Sequence, residues 1–368
     1  MRVCMFVDKP LPIERPTGMG VAVYNMALAL SRRTTEVELV CRGDTERSST
    51  INQNLRVHTL AHYSRSNLLA GLEIVRKGRA DIVHVHSSSA FPVVILARAL
   101  GRKAVVHSHG MEPLRPDRLT VARGIGVNAS HRVIAVSQNT RAALIRGFHL
   151  APRKVEVAYN GVDVEIFRPS QDTTMVLSKY GLVSFDRIIL SVGSLYQAKG
   201  QWLMIECLPE ILKRWPSLAY VNVGSAYRQS YRESIMDRAK QLNVSSCIRM
   251  LDTMPAADLA GLMNAATVCV HPSAREGFGL AVAEEMACGK AVVASNVDSL
   301  PEIVDNESNG LLVRPNDTEE LASSVMRVLD DGVLARRLGD SAVAKVREVF
   351  SWEKCAASLE RAYAELVS

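Results

Sequence analysis

Two glutamates eight positions apart, Glu276 and Glu284, lie in the segment His271-Pro-Ser-Ala-Arg-Glu276-Gly-Phe-Gly-Leu-Ala-Val-Ala-Glu284-Glu-Met-Ala-Cys-Gly289. A strand is expected to end at His271 and a helix to start near Leu280. Between them Gly277, Phe278 and Gly279 form a loop whose glycines let backbone approach a ligand closely. The unpaired N–H groups and positive dipole end of the helix suit a phosphate or a sugar hydroxyl. Eight residues of unbroken helix span about 12 Å. That is near the separation of the two sugars in a nucleotide diphosphate sugar. One carboxylate could therefore hold hexose hydroxyls while the other holds ribose hydroxyls. Two glutamates eight apart usually mean only two solvated side chains; the Gly-Phe-Gly loop and the Glu-Met-Ala-Cys-Gly helix make them a site.

A second element, Leu190-Ser-Val-Gly193-Ser194-Leu195-Tyr-Gln-Ala-Lys199-Gly200, reads as a strand end, a glycine turn and a lysine at the mouth of a helix. A lysine there can neutralise a diphosphate as negative charge builds on the leaving group. In the first half, Thr17-Gly18-Met-Gly20 precedes a helix, so its backbone could pack against a diphosphate or an acceptor. His107-Ser-His109-Gly110 closes a strand and puts His109 at the carboxyl edge of a sheet. The His84/His86 and His107/His109 pairs each share a strand face. No carboxylate or cysteine pattern completes a metal site around them, and no Asp-x-Asp occurs. The expectation is therefore no metal and no cofactor.

These residues must be positioned by a repeating strand–helix rhythm. Strands are predicted at 2–7, 37–41, 56–60, 81–86, 104–107, 132–137 and 155–158, with helices at 21–31, 68–77, 92–100 and 140–147. The rhythm restarts after the breakers Asn160-Gly161 and Arg168-Pro169-Ser170. Further strands are predicted at 188–192, 220–223, 248–251, 268–271, 291–294 and 311–313, and helices at 201–214, 231–241, 280–288 and 318–329. Such alternation predicts an α/β chain of two doubly wound, parallel-sheet domains, 1–165 and 166–351, facing a central cleft. Ligands of such sheets bind at the carboxyl ends of the strands.

The 368 residues suit two ordinary domains, and 48% apolar with 22% charged residues is a globular composition. The amino-terminal apolar run is too short for a signal peptide, and no stretch reaches the roughly 18–20 apolar residues of a spanning helix. Seven cysteines without a C-x-x-C read as reduced, buried thiols. A cytoplasmic location is expected. Charge is uneven: residues 1–170 carry 24 Lys and Arg against 13 Asp and Glu, and the rest carry 20 against 25. The basic first half is either a solvated face with no partner or the mark of an anionic one, a lipid-linked or other anionic acceptor or peripheral contact with the inner membrane face; a small soluble acceptor fits nearly as well. Few aromatics and no basic–aromatic cluster argue against nucleic acid.

Taken together the motifs resemble the GT4 family of retaining GT-B glycosyltransferases. They are Gly18–Gly20, the His-Ser of 81–87, His109-Gly110, Val136-Ser137, Asn160-Gly-Val-Asp163, Gly193 through Lys199-Gly200, Glu276-x7-Glu284, Pro301-Glu302 and Gly310-Leu-Leu-Val. The resemblance runs over nearly the whole chain. It implies a GT-B fold of two Rossmann-like domains, the first binding acceptor and the second the donor, with a helix at about 352–368 packing back on the first. It also implies a metal-independent transfer of a hexose from a UDP- or GDP-sugar, for polysaccharide, glycolipid or other glycoconjugate synthesis. Glu276, supported by Phe278 and Gly279, would bind the transferred sugar and Glu284 the ribose. Lys199 would stabilise the diphosphate, Leu195 would border the nucleotide, and His109 would orient sugar or acceptor. Gly18, Gly20, Gly193, Ser194, Gly277 and Leu280 would complete the donor site.

Departures from the family pattern are Ser194 where an arginine often stands, Ala291 for a proline, and Asp298-Ser299 for small turn residues. Two other readings follow from the residues. One is a nucleotide-sugar-binding protein with weak or lost transfer activity. The other is an NAD-dependent oxidoreductase using Gly18 and Gly20, although Val23 stands where its third glycine belongs.

Overall fold

The computed structural model describes residues 1–11, 18–61, 73–86, 91–110, 118–170 and 172–368. The chain divides into two compact units, 1–161 with 352–368, and 162–351. Thr17, Ser87 and residues 68–72 of the predicted helix 68–77 lie outside the described residues.

In the first unit the strands are β1 (Arg2–Pro10), β2 (Glu36–Gly43), β3 (Arg47–Asn52), β4 (Leu55–Ala61), β5 (Ile82–Val85), β6 (Lys103–Ser108), β7 (Arg132–Ala135) and β8 (Val155–Val157). They form one sheet in the order β3-β4-β2-β1-β5-β6-β7-β8. All neighbours pair in parallel except β3 and β4. The predicted strands all form. They are legible because a parallel sheet covered on both faces reads as continuous apolar runs. Strand β3 was not foreseen: Arg-Ser-Ser-Thr-Ile-Asn is a polar edge strand and five of its six residues are exposed, so it carries no burial signal.

Beneath the sheet Cys4, Phe6, Val40, Val83, Val85, Val106 and Val133 pack into one core. The last helix, Trp352–Val367, belongs to this unit. Cys355, Ala356, Leu359, Ala362 and Tyr363 recur at helical spacing and are buried. Glu360 accepts from the Arg33 guanidinium at 2.5 Å and from the Thr35 hydroxyl at 2.9 Å, which tethers the helix beside the end of helix Gly18–Arg32.

The second unit holds β9 (Arg187–Val192), β10 (Leu218–Val223), β11 (Ile248–Leu251), β12 (Val268–His271), β13 (Val292–Ser295) and β14 (Leu311–Val313), in the order β11-β10-β9-β12-β13-β14. Every pairing is parallel. The helices Gln201–Arg214, Gln229–Gln241, Leu280–Ala287 and Thr318–Asp330 form as the periodicity predicts. Two longer helices were missed, Ala256–Ala265 and Gly332–Val349. The second announces itself in hindsight: Asp331 caps it, accepting from the amides of Val333 and Leu334 at 3.0 and 2.9 Å. All seven cysteines are free and buried. Among the described residues no helix is long and apolar enough to cross a membrane.

Candidate active site

The second unit's chain runs from β9 to its neighbour β10 on one side, while β12 flanks β9 on the other. The order reverses between β9 and β12, and a crevice at such a switch point is where open α/β sheets bind ligands. The two loops singled out by the sequence leave those two strands. Residues 193–200 follow β9 and residues 272–279 follow β12.

Packing locks these loops together. The Ala274 amide donates to the Ala198 carbonyl at 2.8 Å. Gly200 has φ +69°, and a Cβ there would stand 1.9 Å from the Pro272 carbonyl oxygen. Only glycine permits that approach. Gly279, φ +101°, ends the second loop, and its Cβ would meet Leu300 at 2.9 Å. The close contacts bring Lys199 and Glu276, 77 positions apart, into an ion pair of 2.5 Å between Nζ and Oε2. Both side chains are mostly shielded, at 21% and 15% exposed. Burial works against the lysine's charge, but the Glu276 carboxylate outweighs it and holds the Lys199 pKa above its ordinary value. Lys199 is thus a fixed cation.

Glu284 lies on helix Leu280–Ala287 and is buried. The helix starts at Leu280, so the stretch from Glu276 to Glu284 is half loop. The 12 Å separation expected of an unbroken helix does not apply, because Gly279 turns the chain at a φ that a continuing helix cannot have. Burial, aided by the neighbouring Glu285 carboxylate, pushes the Glu284 pKa up to about 8. At neutral pH the carboxyl keeps its proton and can both donate and accept, a good match to a ribose diol. Glu285 points elsewhere: its Oε2 lies 2.6 Å from His271 Nε2 in a buried pair. Neither was foreseen as a partner, because a glutamate beside a glutamate gives no sign in sequence of which one turns inward.

Two further residues shape the loop. The Asp298 carboxylate accepts from the Glu276 amide at 2.9 Å. The Ser299 hydroxyl lies 2.9 Å from the carbonyl oxygens of both Glu276 and Phe278. The sequence flagged this pair only as a departure from the family turn; its purpose is visible once the fold places it under the loop. Phe278 is buried edge-on to Phe350, with ring centroids 5.6 Å apart. Leu195 is buried, with its amide bonded to the Ser225 carbonyl at 3.0 Å and its carbonyl accepting from Tyr227 at 3.1 Å. The Gly193 amide donates to Val223 at 2.9 Å. The Ser194 carbonyl accepts from the Gln201 side chain at 3.1 Å. Tyr196 and the highly exposed Tyr227 stand 6.4 Å apart between ring centroids. Tyr227 had no motif around it to draw notice.

In the first unit, Gly18 and Gly20 do not form a loop ahead of a helix. They lie within the first turn of helix Gly18–Arg32, and Gly20 is buried there. A helix N-terminus tolerates glycine because its first amides have no intrahelical partner. His109 follows β6 at the carboxyl edge of the sheet, as predicted, and its Nε2 lies 2.9 Å from His86 Nδ1. Burial pulls its pKa down to about 4, so the ring is neutral at physiological pH.

Comparison with known proteins places this arrangement. Residues 16–166 match the model of Glycosyltransferase Family 4 and residues 177–345 that of Glycosyl transferases group 1. Among curated proteins, a D-inositol 3-phosphate glycosyltransferase of Nocardioides sp. is 30% identical over 96% of this chain and 88% of its own. One of Corynebacterium efficiens is 29% identical over 99% and 95%. Among solved structures, sucrose-phosphate synthase of Thermosynechococcus elongatus superposes with a TM-score of 0.84 at 22% identity, covering 99% and 98% of the two chains. Anabaena HepE in complex with UDP and glucose gives 0.83 at 21%, covering 99% and 100%. These likenesses show the GT-B fold of two Rossmann-like domains, and with the family the oxidoreductase reading falls. The chain belongs to glycosyltransferase family 4 and is a glycosyltransferase.

Proposed function

We propose that the protein transfers a hexose from a UDP-sugar to a hydroxyl of a phosphorylated polyol, with retention and without a metal ion in the donor site. The observation that carries this reading is the Lys199–Glu276 pair at the β9/β12 switch point. The pair offers one cation and one carboxylate side by side. Lys199 meets the diphosphate and offsets the charge that accumulates as the glycosidic bond breaks. Glu276 turns to the hexose hydroxyls, helped by the amides of Phe278 and Gly279. Glu284, protonated, holds the ribose diol. The attacking hydroxyl enters on the face the diphosphate leaves, its proton passing to a phosphate oxygen. No carboxylate nucleophile is then needed. His109, neutral, orients the reacting sugar or the acceptor.

UDP is favoured over GDP by the likeness to a protein crystallised with UDP and glucose. A phosphorylated acceptor is favoured by relatives named for inositol 3-phosphate and by the basic first half of the chain. A role in polysaccharide assembly or at the inner membrane face has no comparable support. Pelleting with anionic vesicles at low and high salt tests the membrane contact, and absence of salt-sensitive binding removes it.

The deciding experiment is thermal unfolding against UDP-, GDP-, ADP- and nicotinamide nucleotides with EDTA present. A ligand of the folded state raises the melting temperature. A rise with UDP that is lost in Glu284→Ala supports the donor site as described. No rise with any nucleotide, or a rise only when magnesium is restored, overturns it.

A further inference from the structure

Four histidines converge at the carboxyl edge of the first unit's sheet, only one of which the transfer reaction uses. His84 and His86 belong to one face of β5 and the residue after it, and His107 to β6. The ring of His84 is 4.1 Å from that of His86 and 5.3 Å from that of His107, and His107 is 4.5 Å from His109. His84, His86 and His107 are at most 2% exposed. Two rings are oriented through Nδ1. His84 Nδ1 lies 2.5 Å from the Tyr363 hydroxyl, and His86 Nδ1 lies 2.9 Å from His109 Nε2. Their Nε2 atoms and both ring nitrogens of His107 are buried with no partner among the described residues. A buried polar atom without a partner has given up its hydration with nothing in return. Four in one place call for something that satisfies them jointly.

We propose that His84, His86 and His107 form a site for one zinc-class divalent cation. One nitrogen from each ring lies within 4.8 Å of the others. Donors spaced so stand at most about 2.8 Å from a common centre, against about 2.0–2.1 Å for a zinc–imidazole bond, so each moves by less than about 1 Å. His84 and His107 are nearly parallel, 6° apart. Rotation about the soft terminal torsion of histidine tilts them toward one centre. An all-imidazole donor set selects zinc, cobalt, nickel or copper, and its lack of oxygen donors excludes magnesium and calcium. Tyr363 and His109, bonded to the far nitrogens, serve as the outer partners that orient ligating histidines. The fourth position is taken by water or hydroxide. Through Tyr363 the ion fastens the C-terminal helix to the middle of the sheet. It is a structural site, and no step of sugar transfer passes through it.

The full-length protein, freed of metal by chelator and desalted, is titrated with Co2+ and then Zn2+. The expected result is one equivalent of Co2+ with the visible absorption of a tetrahedral centre, displaced by one equivalent of Zn2+. The 15N spectra of histidine-labelled wild type should show zinc-induced displacement at ring nitrogens of three residues. His84→Phe and His107→Phe should each cut uptake at least tenfold, while the control His149→Ala keeps it. Absence of stoichiometric uptake by wild type overturns the site without any variant, and so does uptake unchanged in both phenylalanine variants. Should those variants fail to fold, the wild-type spectra decide: displacement of other histidines overturns the assignment.

Discussion

Lys199 and Glu276 form one electrostatic unit: their side chains meet at 2.5 Å although 77 residues separate them. Each is the other's partner in the unliganded protein, so the proposed donor site is preorganised but self-neutralised. On the proposed function a nucleotide sugar draws the two apart, the lysine toward phosphate and the carboxylate toward hydroxyls. Lys199→Met should therefore lower kcat/KM by about 10²–10³-fold, the loss typical of one transition-state donor. Glu276→Gln should chiefly weaken binding of the sugar portion. Initial rates against donor concentration, with UDP binding measured in parallel, check this. Equal loss of UDP and UDP-sugar affinity in Glu276→Gln would contradict it.

Burial pushes the Glu284 pKa to about 8 from the ordinary 4.5. A carboxyl whose pKa rises on folding favours the folded state fully below its unfolded pKa. That contribution fades as pH climbs through the folded value. Wild type should accordingly lose stability relative to Glu284→Gln between about pH 4.5 and 8, and the difference should level off above that. The span is on the order of 3–5 kcal/mol. Denaturant melts of both proteins at pH 5, 7 and 9 read it directly, and parallel curves would refute the shift.

Gly200→Ala should destabilise the second unit by about 2–4 kcal/mol. The new Cβ collides with the Pro272 carbonyl at 1.9 Å, and φ +69° is unfavourable for alanine. Gly332→Ala, where no atom lies within 4 Å of the added carbon, is the control. Comparable thermal melts for the two would show that the loop contact carries no strain.

Ser299→Ala removes a hydroxyl from between two loop carbonyls, and Asp298→Asn weakens the acceptor of the Glu276 amide. Each should raise KM for the donor by about five- to thirtyfold, as the loss of about 1–2 kcal/mol of orientation implies. The effect on kcat should be smaller. Steady-state kinetics on both variants check this; an unchanged KM would show that the Glu276 loop holds its shape unaided.

Much of the fold was legible because its rules are local. Buried parallel strands such as β5 and β12 read as apolar runs, and helix Thr318–Asp330 shows both its period and its cap at Asp317, which accepts from Glu320 at 2.8 Å. Strand β3 escaped because an exposed polar edge has no burial pattern. Helix Gly332–Val349 escaped because its aspartate cap was hidden within a run of turn formers. The glycines at 18 and 20 were misplaced because spacing cannot tell a loop before a helix from the helix's own first turn. Asp298 and Ser299 were visible only as oddities, since nothing local says which loop they support.

The sequence by itself determined the family, the two largely parallel sheets and the segments in which Lys199, Glu276 and Glu284 stand. These follow from hydrophobic periodicity and from motifs a few residues long, and both are properties of neighbours in the chain. Tertiary structure alone decided that Lys199 answers Glu276, that Glu284 keeps a proton while Glu285 pairs with His271, and that His84, His86 and His107 share one buried place beside His109. Charge state and pairing depend on burial and on distance through space. Residues brought together by sheet order from tens or hundreds of positions apart leave no spacing in the sequence to read.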